Sequence, residues 1–148
     1  MFLSLAAAVF VFLFDLFVKN RVNARQKAGT LPASFFHDLF RLDRVENPGM
    51  ILGFGRQKPR LVKLLPPAVL AAVSFLVIPE LPKIPSLLPR LGYGLLLGGG
   101  LNNFYDHWKR GYVIDYISLP LPKIRHIYFN LSDFAIFTGT FLLCLFLV

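Results

Sequence analysis

Four long apolar runs constrain this chain more than any other feature. Phe2 to Val18, Leu61 to Ile78, Leu87 to Tyr105 and Phe129 to Val148 each approach the roughly 20 apolar residues that a helix needs to cross a bilayer core. An apolar fraction of 55% and a mean hydropathy of +0.59 exceed what an ordinary soluble domain of 148 residues carries. The expectation is a mainly α membrane protein with four transmembrane helices, the whole of residues 1–148 forming one membrane-embedded domain. The first run has no basic segment before it and no small-x-small site before Asp15, so it reads as a retained helix and not as a cleaved signal peptide.

Proline and glycine refine the boundaries. Leu65-Pro66-Pro67 either kinks the first turn of the second helix or marks a later start, whereas Pro89 suits the first turn of the third. Gly94-x-x-x-Gly98 places two positions without side chains on one face of the third helix, so that a neighbouring backbone can approach closely. Between the first two helices, the polar-leaning segment Lys19 to Arg60 carries Gly29, Pro32, Pro48, Gly49, Gly53 and Gly55 as turn punctuation. That length predicts a small β-rich flap outside the membrane, over about 20–60. Pro79 to Ser86 is a short connection, and Gly111-Tyr-Val-Ile-Asp-Tyr-Ile117 is β-branched and aromatic enough to be extended.

Charge and motif content exclude several functions. Sixteen Lys and Arg against eight Asp and Glu give a formal charge of +8, but these residues sit between apolar runs without any nucleic-acid motif. Membrane lipid is the partner such a distribution implies. The single cysteine, Cys144, lies in an apolar run and reads as a lipid-facing or packing thiol. His37, His107 and His126 are spaced too irregularly for a helical metal pair, and no nucleotide-binding or serine-hydrolase motif occurs. Neither a metal nor another cofactor is expected.

The acidic residues are more informative. With four spans, the end of the first helix, the start of the second, the end of the third and the start of the fourth emerge on the same side. Asp15, Asp106, Asp115 and Asp133 all fall there, four of eight acidic residues. Asp133 interrupts an apolar segment, which costs up to a few kcal/mol on insertion scales and marks a functional candidate. A carboxylate favoured by the dipole at a helix N-terminus explains it equally well. For Asp115 alone, an interfacial turn residue is the simpler explanation, until its neighbours are considered. Two carboxylates held close in a poorly hydrated site cannot both ionise cheaply, so one keeps a proton while the other activates water. That is the chemistry of an aspartic protease.

Taken together, the blocks around these residues resemble lipoprotein signal peptidase, the membrane aspartyl peptidase family also called signal peptidase II. Asp15-Leu-Phe-Val-Lys19 resembles the family's Asp-x-x-Thr-Lys, with Val18 in place of threonine. Asn47-Pro48-Gly49 followed by Gly53 resembles Asn-x-Gly-Ala-Ala-Phe-Gly, with Met50, Ile51 and Leu52 replacing Ala, Ala and Phe. Gly98-Gly-Gly-Leu-Asn-Asn103-Phe-Tyr-Asp106 resembles Gly-Gly-Ala-Leu-Gly-Asn-x-x-Asp and continues into Gly111-Tyr-Val-Ile-Asp115. Phe129-Asn130-Leu-Ser-Asp133 resembles Phe-Asn-x-Ala-Asp.

The resemblance implies that Asp115 and Asp133 are the catalytic pair. It implies that Asn103 and Asn130 position substrate or the pair, that Asn47 and Gly49 meet substrate from an extracytoplasmic flap, and that Asp15 and Lys19, with Asp106 and Gly111, support the site. The implied substrate is a prolipoprotein, cut just before a diacylglyceryl-modified cysteine. The implied location is the cell (cytoplasmic or inner) membrane, with both termini inside and the catalytic face outside. Most Lys and Arg then lie on the outer side, with Lys83 and Arg90 opposite, the reverse of the positive-inside bias. Headgroup contacts at about 1 kcal/mol per basic residue offer those charges a role. His107 stands where the family usually has arginine, and with the enlarged flap side chains it admits an alternative, a weakly active or inactive relative that binds lipidated peptides or a partner protein. A small transporter is the remaining alternative, although carboxylates gathered at one face form no path across a bilayer.

Overall fold

The computed structural model describes residues 1–35, 40–50, 54–118 and 127–147. Each apolar run becomes a helix: α1 (Phe2–Lys27), α2 (Pro59–Val77), α3 (Leu88–Lys109) and α4 (Leu131–Leu147). Between them lie four short strands, β1 (Ala33–Phe35), β2 (Phe40–Asn47), β3 (Val113–Ser118) and β4 (Tyr128–Phe129), and a 3-10 turn at Leu81–Lys83.

The helix boundaries differ from the hydropathy reading where local chemistry outweighs apolar content. α1 continues past Val18 because no Gly or Pro interrupts it before Gly29 and because Val22 is buried against Ile114 and Tyr116. It stops at Gly29, which adopts φ 68°. There the Gly29 amide donates to the Gln26 carbonyl and the Thr30 amide to the Arg25 carbonyl, the Schellman pattern that satisfies terminal carbonyls. Asp15 is therefore inside α1 and not in its last turn. α2 starts earlier than expected, at Pro59, and holds Pro66 and Pro67 inside it. A later start is overturned: Pro59 presets the first turn, and keeping an apolar run helical outweighs the two amide hydrogens those prolines lack. Pro89 does occupy the first turn of α3.

Helix α3 lies at the centre, packing against α1, α2 and α4. Its glycines permit this. A Cβ on Gly94 would stand 2.5 Å from the Ser4 carbonyl oxygen, and one on Gly98 2.5 Å from that of Ala8, so α1 rests directly on the α3 backbone. On another face, Gly92 and Gly99 meet α4, where a Cβ on Gly139 would approach the Gly92 oxygen to 2.5 Å. Close backbone approach of this kind replaces the hydrophobic drive that helices lack in lipid.

The strands form one antiparallel sheet in the order β1-β2-β3-β4. β2 pairs with β3 through Val45↔Asp115, Glu46↔Ile114 and Asn47↔Val113, with a register irregularity between Leu42 and Val45. The sheet is thus not confined to the connection between the first two helices, as expected, but is shared equally with the α3–α4 connection. Pairing across the two connections brings Asn47 beside Asp115.

Burial is inverted relative to a soluble protein. Asp15, Lys19, Asn102, Asp106, Asp115, Asn130 and Ser132 are buried, while Phe2, Phe10, Phe75, Leu76, Phe141 and Leu145 are exposed on the helix exteriors. Helix α1 and the segment Pro59–Lys83 are long and apolar enough to cross a membrane. An apolar exterior around a polar interior, in which Ser4 Oγ is the one buried side-chain polar atom without a hydrogen-bond partner among the described residues, is how helices accommodate lipid.

Candidate active site

Asp115 sits on β3 and Asp133 in the first turn of α4. β3 is aimed by Gly111, whose φ of 84° turns the chain out of α3 in a conformation that disfavours any side chain. α4 is aimed by Asn130, its N-terminal cap. The Asn130 Oδ1 accepts the Asp133 amide at 2.9 Å, while the Asn130 amide donates to Asp133 Oδ2 at 3.0 Å. This reciprocal pair is a capping box built on Asn-x-x-Asp, and it fixes the Asp133 rotamer. The same Asn130 donates from Nδ2 to Asp115 Oδ1 at 2.7 Å, so one residue touches both carboxyl groups.

The remaining oxygens are also occupied. Asn47 Nδ2 donates to Asp115 Oδ2 at 3.0 Å, and Asn103 Nδ2 donates to Asp133 Oδ1 at 2.9 Å. Asn47 is oriented in turn by the Gly49 amide, which donates to its Oδ1 at 3.0 Å. Among the described residues no lysine or arginine pairs with Asp115 or Asp133. Neutral amides orient the two groups without forcing both to ionise. Burial, followed by the nearby Asp133 carboxylate, pushes Asp115 up to about 7, against the smaller opposing pull of Asn47, Asn130 and Lys19. The pair can therefore hold one proton near neutrality.

Behind this pair lies a buried ionic hub. Lys19 Nζ stands 3.0 Å from Asp15 Oδ2 and 2.9 Å from Asp106 Oδ2, and donates to Asn102 Oδ1 at 2.6 Å and Asn103 Oδ1 at 3.1 Å. Asn103 thus links the hub to Asp133. Asp106 also pairs with Arg110 one turn later, which supplies an arginine partner although His107 occupies the adjacent position. Asp15 further accepts from the Tyr116 hydroxyl at 2.6 Å and from Ser132 Oγ at 2.5 Å.

All ten sequence-derived candidates are described, and the structure gathers them at one end of the bundle. His37, His126 and Gly53 lie outside the described residues. His107 is buried and lines the groove beside the carboxylates. Among the described residues no three His, Cys, Asp or Glu side chains gather as metal ligands do. Sequence reasoning missed Asn102, Arg110, Tyr116 and Ser132. Arg110 was readable as an i,i+4 partner of Asp106, and the Asn130-x-x-Asp133 spacing was readable as a cap. Asn102, Tyr116 and Ser132 carry no local signal, since their partners come from a distant helix.

In front of the carboxylates opens a groove of about 320 Å³. Its walls include Leu65, Val69 and Leu70 of α2, Phe104 of α3 and Ile136 and Phe137 of α4, with Asn47, Asn103, Asp115 and Asp133 at its polar end. Such a cleft suits an extended apolar segment presented to paired carboxyls.

A family model described as signal peptidase (SPase) II matches residues 7–148. The chain belongs to the signal peptidase II family. Similar proteins include the lipoprotein signal peptidase of Moorella thermoacetica, 36% identical over 75% of this chain and 67% of that one. That of Halothermothrix orenii is 32% identical over 93% of this chain and 89% of its own length. The fold is similar to a bacterial membrane enzyme structure determined by the in meso method at 2.3 Å, with a TM-score of 0.78, 23% identity, and coverage of 96% of this chain and 85% of that one. Membership in signal peptidase II, together with the apolar helices, makes the chain a peptidase and an integral membrane protein.

Proposed function

We propose that this chain is an aspartyl endopeptidase that removes signal peptides from diacylglyceryl-modified prolipoproteins, with Asp115 and Asp133 as its catalytic pair. The observation that carries this reading is the convergence of two buried carboxyls on Asn130, at the polar end of an apolar groove, with only amide donors around them. In the reaction, the ionised member of the pair takes a proton from a water held between them. The resulting nucleophile attacks the scissile carbonyl, and the protonated partner donates a hydrogen bond to the developing oxyanion. A proton then passes to the leaving amine and the pair returns to its starting state.

The same reading makes α1, α2, α3 and α4 four membrane spans of one membrane-embedded unit, with the sheet and the carboxylates at the extracytoplasmic face of the cell membrane. α4, with 17 residues, is about 25 Å long, so Asp133 at its start lies near the interface, where a lipidated scissile bond enters. The groove walls face the apolar signal segment. A relative that binds lipidated peptides without cutting them is not favoured, because both carboxyls are present and oriented.

Asp115→Asn and Asp133→Asn should each abolish cleavage of a lipidated precursor in detergent while leaving thermal unfolding cooperative. Retained turnover in either variant would reject the proposal.

A further inference from the structure

The C-terminal part of α1 and its cap carry Phe17, Arg21, Ala24, Arg25 and Ala28, a spacing that sets them on one helix face. With Val18, Val22 and Leu42 of β2 they line an open groove of about 600 Å³, which shares no lining residue with the groove in front of the carboxylates. We propose that this second groove binds one anionic glycerophospholipid, its phosphate held by Arg21 and Arg25. The inference takes from the proposed function only that α1 spans the membrane. It does not depend on which side chains catalyse, nor on which side of the membrane the sheet lies.

Charge is the first argument. Arg21 and Arg25 are like charges one turn apart, an arrangement that is mildly repulsive on a helix. Among the described residues neither pairs with a carboxylate, whereas Arg41, Arg44 and Arg110 each do. No acidic side chain lines the groove. The helix dipole favours a cation at Arg25, in the last turn, but does not account for Arg21. An anion from outside the chain relieves the repulsion, and the guanidinium fork matches the oxygens of a phosphate.

Depth in the bilayer is the second. α1 has 26 residues, about 39 Å, and therefore outruns a hydrocarbon core of about 30 Å. Its apolar run ends at Val18, so Arg21 stands about 4.5 Å past that edge, inside a headgroup layer roughly 5–7 Å deep. Helix side chains lean toward the N-terminus, which here is toward the bilayer. Arg21 shows the lean: its guanidinium carbon lies 5.1 Å from the centroid of the outward-facing Phe17 ring, one turn nearer the core. The same lean brings the long Arg25 side chain back toward that layer.

Shape is the third. Ala24 and Ala28 leave room for a headgroup, while Phe17 and Val18 offer apolar surface to the first methylenes of an acyl chain. The floor is fixed in advance, because Val22 is buried against Ile114 and Tyr116 and Leu42 packs on the same cluster. A free phosphate would use the arginines and leave that apolar surface uncovered.

The experiment titrates purified protein in nonionic detergent with phosphatidylglycerol, phosphatidylcholine or tail-free glycerol phosphate, and counts bound molecules by native mass spectrometry. One phosphatidylglycerol should bind roughly 10-fold more tightly than phosphatidylcholine. Arg21→Gln and Arg25→Gln should each weaken it about fivefold, and the double variant by more than about 20-fold. Arg56→Gln with Lys58→Gln removes equal charge from the exposed segment before α2 and should change the affinity by less than about twofold. Equal affinity for the two lipids, an equal loss in the Arg56 and Lys58 variant, or glycerol phosphate binding as tightly as the lipid would each overturn the site. Should the double arginine variant fail to fold, Ala24→Leu decides, since it keeps both charges and fills the headgroup space; unchanged lipid affinity in it overturns the proposal. Turnover of a diacylglyceryl-modified precursor in lipid-free detergent should be the same in the arginine variants as in wild type. If Asp115→Asn still turns over while the lipid selectivity persists, the catalytic pair fails and the lipid site stands.

Discussion

Replacing Lys19 by methionine tests the physical basis of the interior. Met is apolar and of similar length, so packing is largely preserved and the charge is what changes. The cluster of Asp15, Asp106, Lys19 and Arg110 is balanced, two negative against two positive, and Lys19 lies within hydrogen-bonding distance of both acids at 3.0 and 2.9 Å. Without it one net negative charge is left in a region where Asp15 and Asp106 are fully buried. Breaking a buried pair by deleting one partner costs about 3–5 kcal/mol. Asp15 keeps Tyr116 and Ser132, and Asp106 keeps Arg110, which places the expected loss near the lower end. At roughly 2–4 °C per kcal/mol for a chain of this size, a loss of about 3 kcal/mol lowers the unfolding midpoint by roughly 6–12 °C. The assay is thermal unfolding in detergent, followed by tryptophan fluorescence from Trp108. Adding Asp15→Asn to Lys19→Met removes the uncompensated charge and leaves Asp106 paired with Arg110, so it should recover at least half of the shift. A Lys19→Met midpoint within about 2 °C of wild type, or a double variant that falls further, would refute the electrostatic reasoning.

Three further outcomes follow from the geometry. Because Asp115 rises from 3.8 to about 7 on folding, the native state binds more protons than the unfolded state between those values; stability should therefore fall as pH rises through that window and level off above about 7. Unfolding midpoints across pH should show a shallower decline in Asp115→Asn. Gly98→Ala would bring a Cβ within 2.8 Å of the Ala8 Cα and 2.5 Å of its oxygen, so α1 must move away and the unfolding midpoint should drop. Gln57, exposed beside Lys58, can be changed to Cys in a Cys144→Ala background. A membrane-impermeant maleimide should label it from outside intact cells, and labelling only after lysis would reverse the proposed orientation.

The split between what the sequence carried and what the fold decided is visible in particular residues. Hydropathy alone located four helices, because spanning segments must be long and apolar whatever they pack against. The blocks around Asp15, Asn47, Asp106 and Asp133 also pointed to the signal peptidase II family, since carboxylates near lipid are costly and therefore conspicuous. Helix ends were less legible: α1 runs on to Lys27 because Val22 finds a buried place against β3, a tertiary contact that no window of hydropathy contains.

Chain order by itself placed Asp15, Asp106, Asp115 and Asp133 at one end of the bundle, because four helices that alternate in direction bring those positions to the same end. It could not determine which oxygen meets which donor. Tyr116 and Ser132 look unremarkable in sequence, yet their hydroxyls reach an Asp15 that is 101 and 117 residues away. Asn130 reads locally as a cap and becomes a bridge between two carboxyls only once β3 is paired with β2 and laid beside α4. Local patterns encode where a segment resides; hydrogen bonds between distant side chains exist only after packing has brought their partners within about 3 Å.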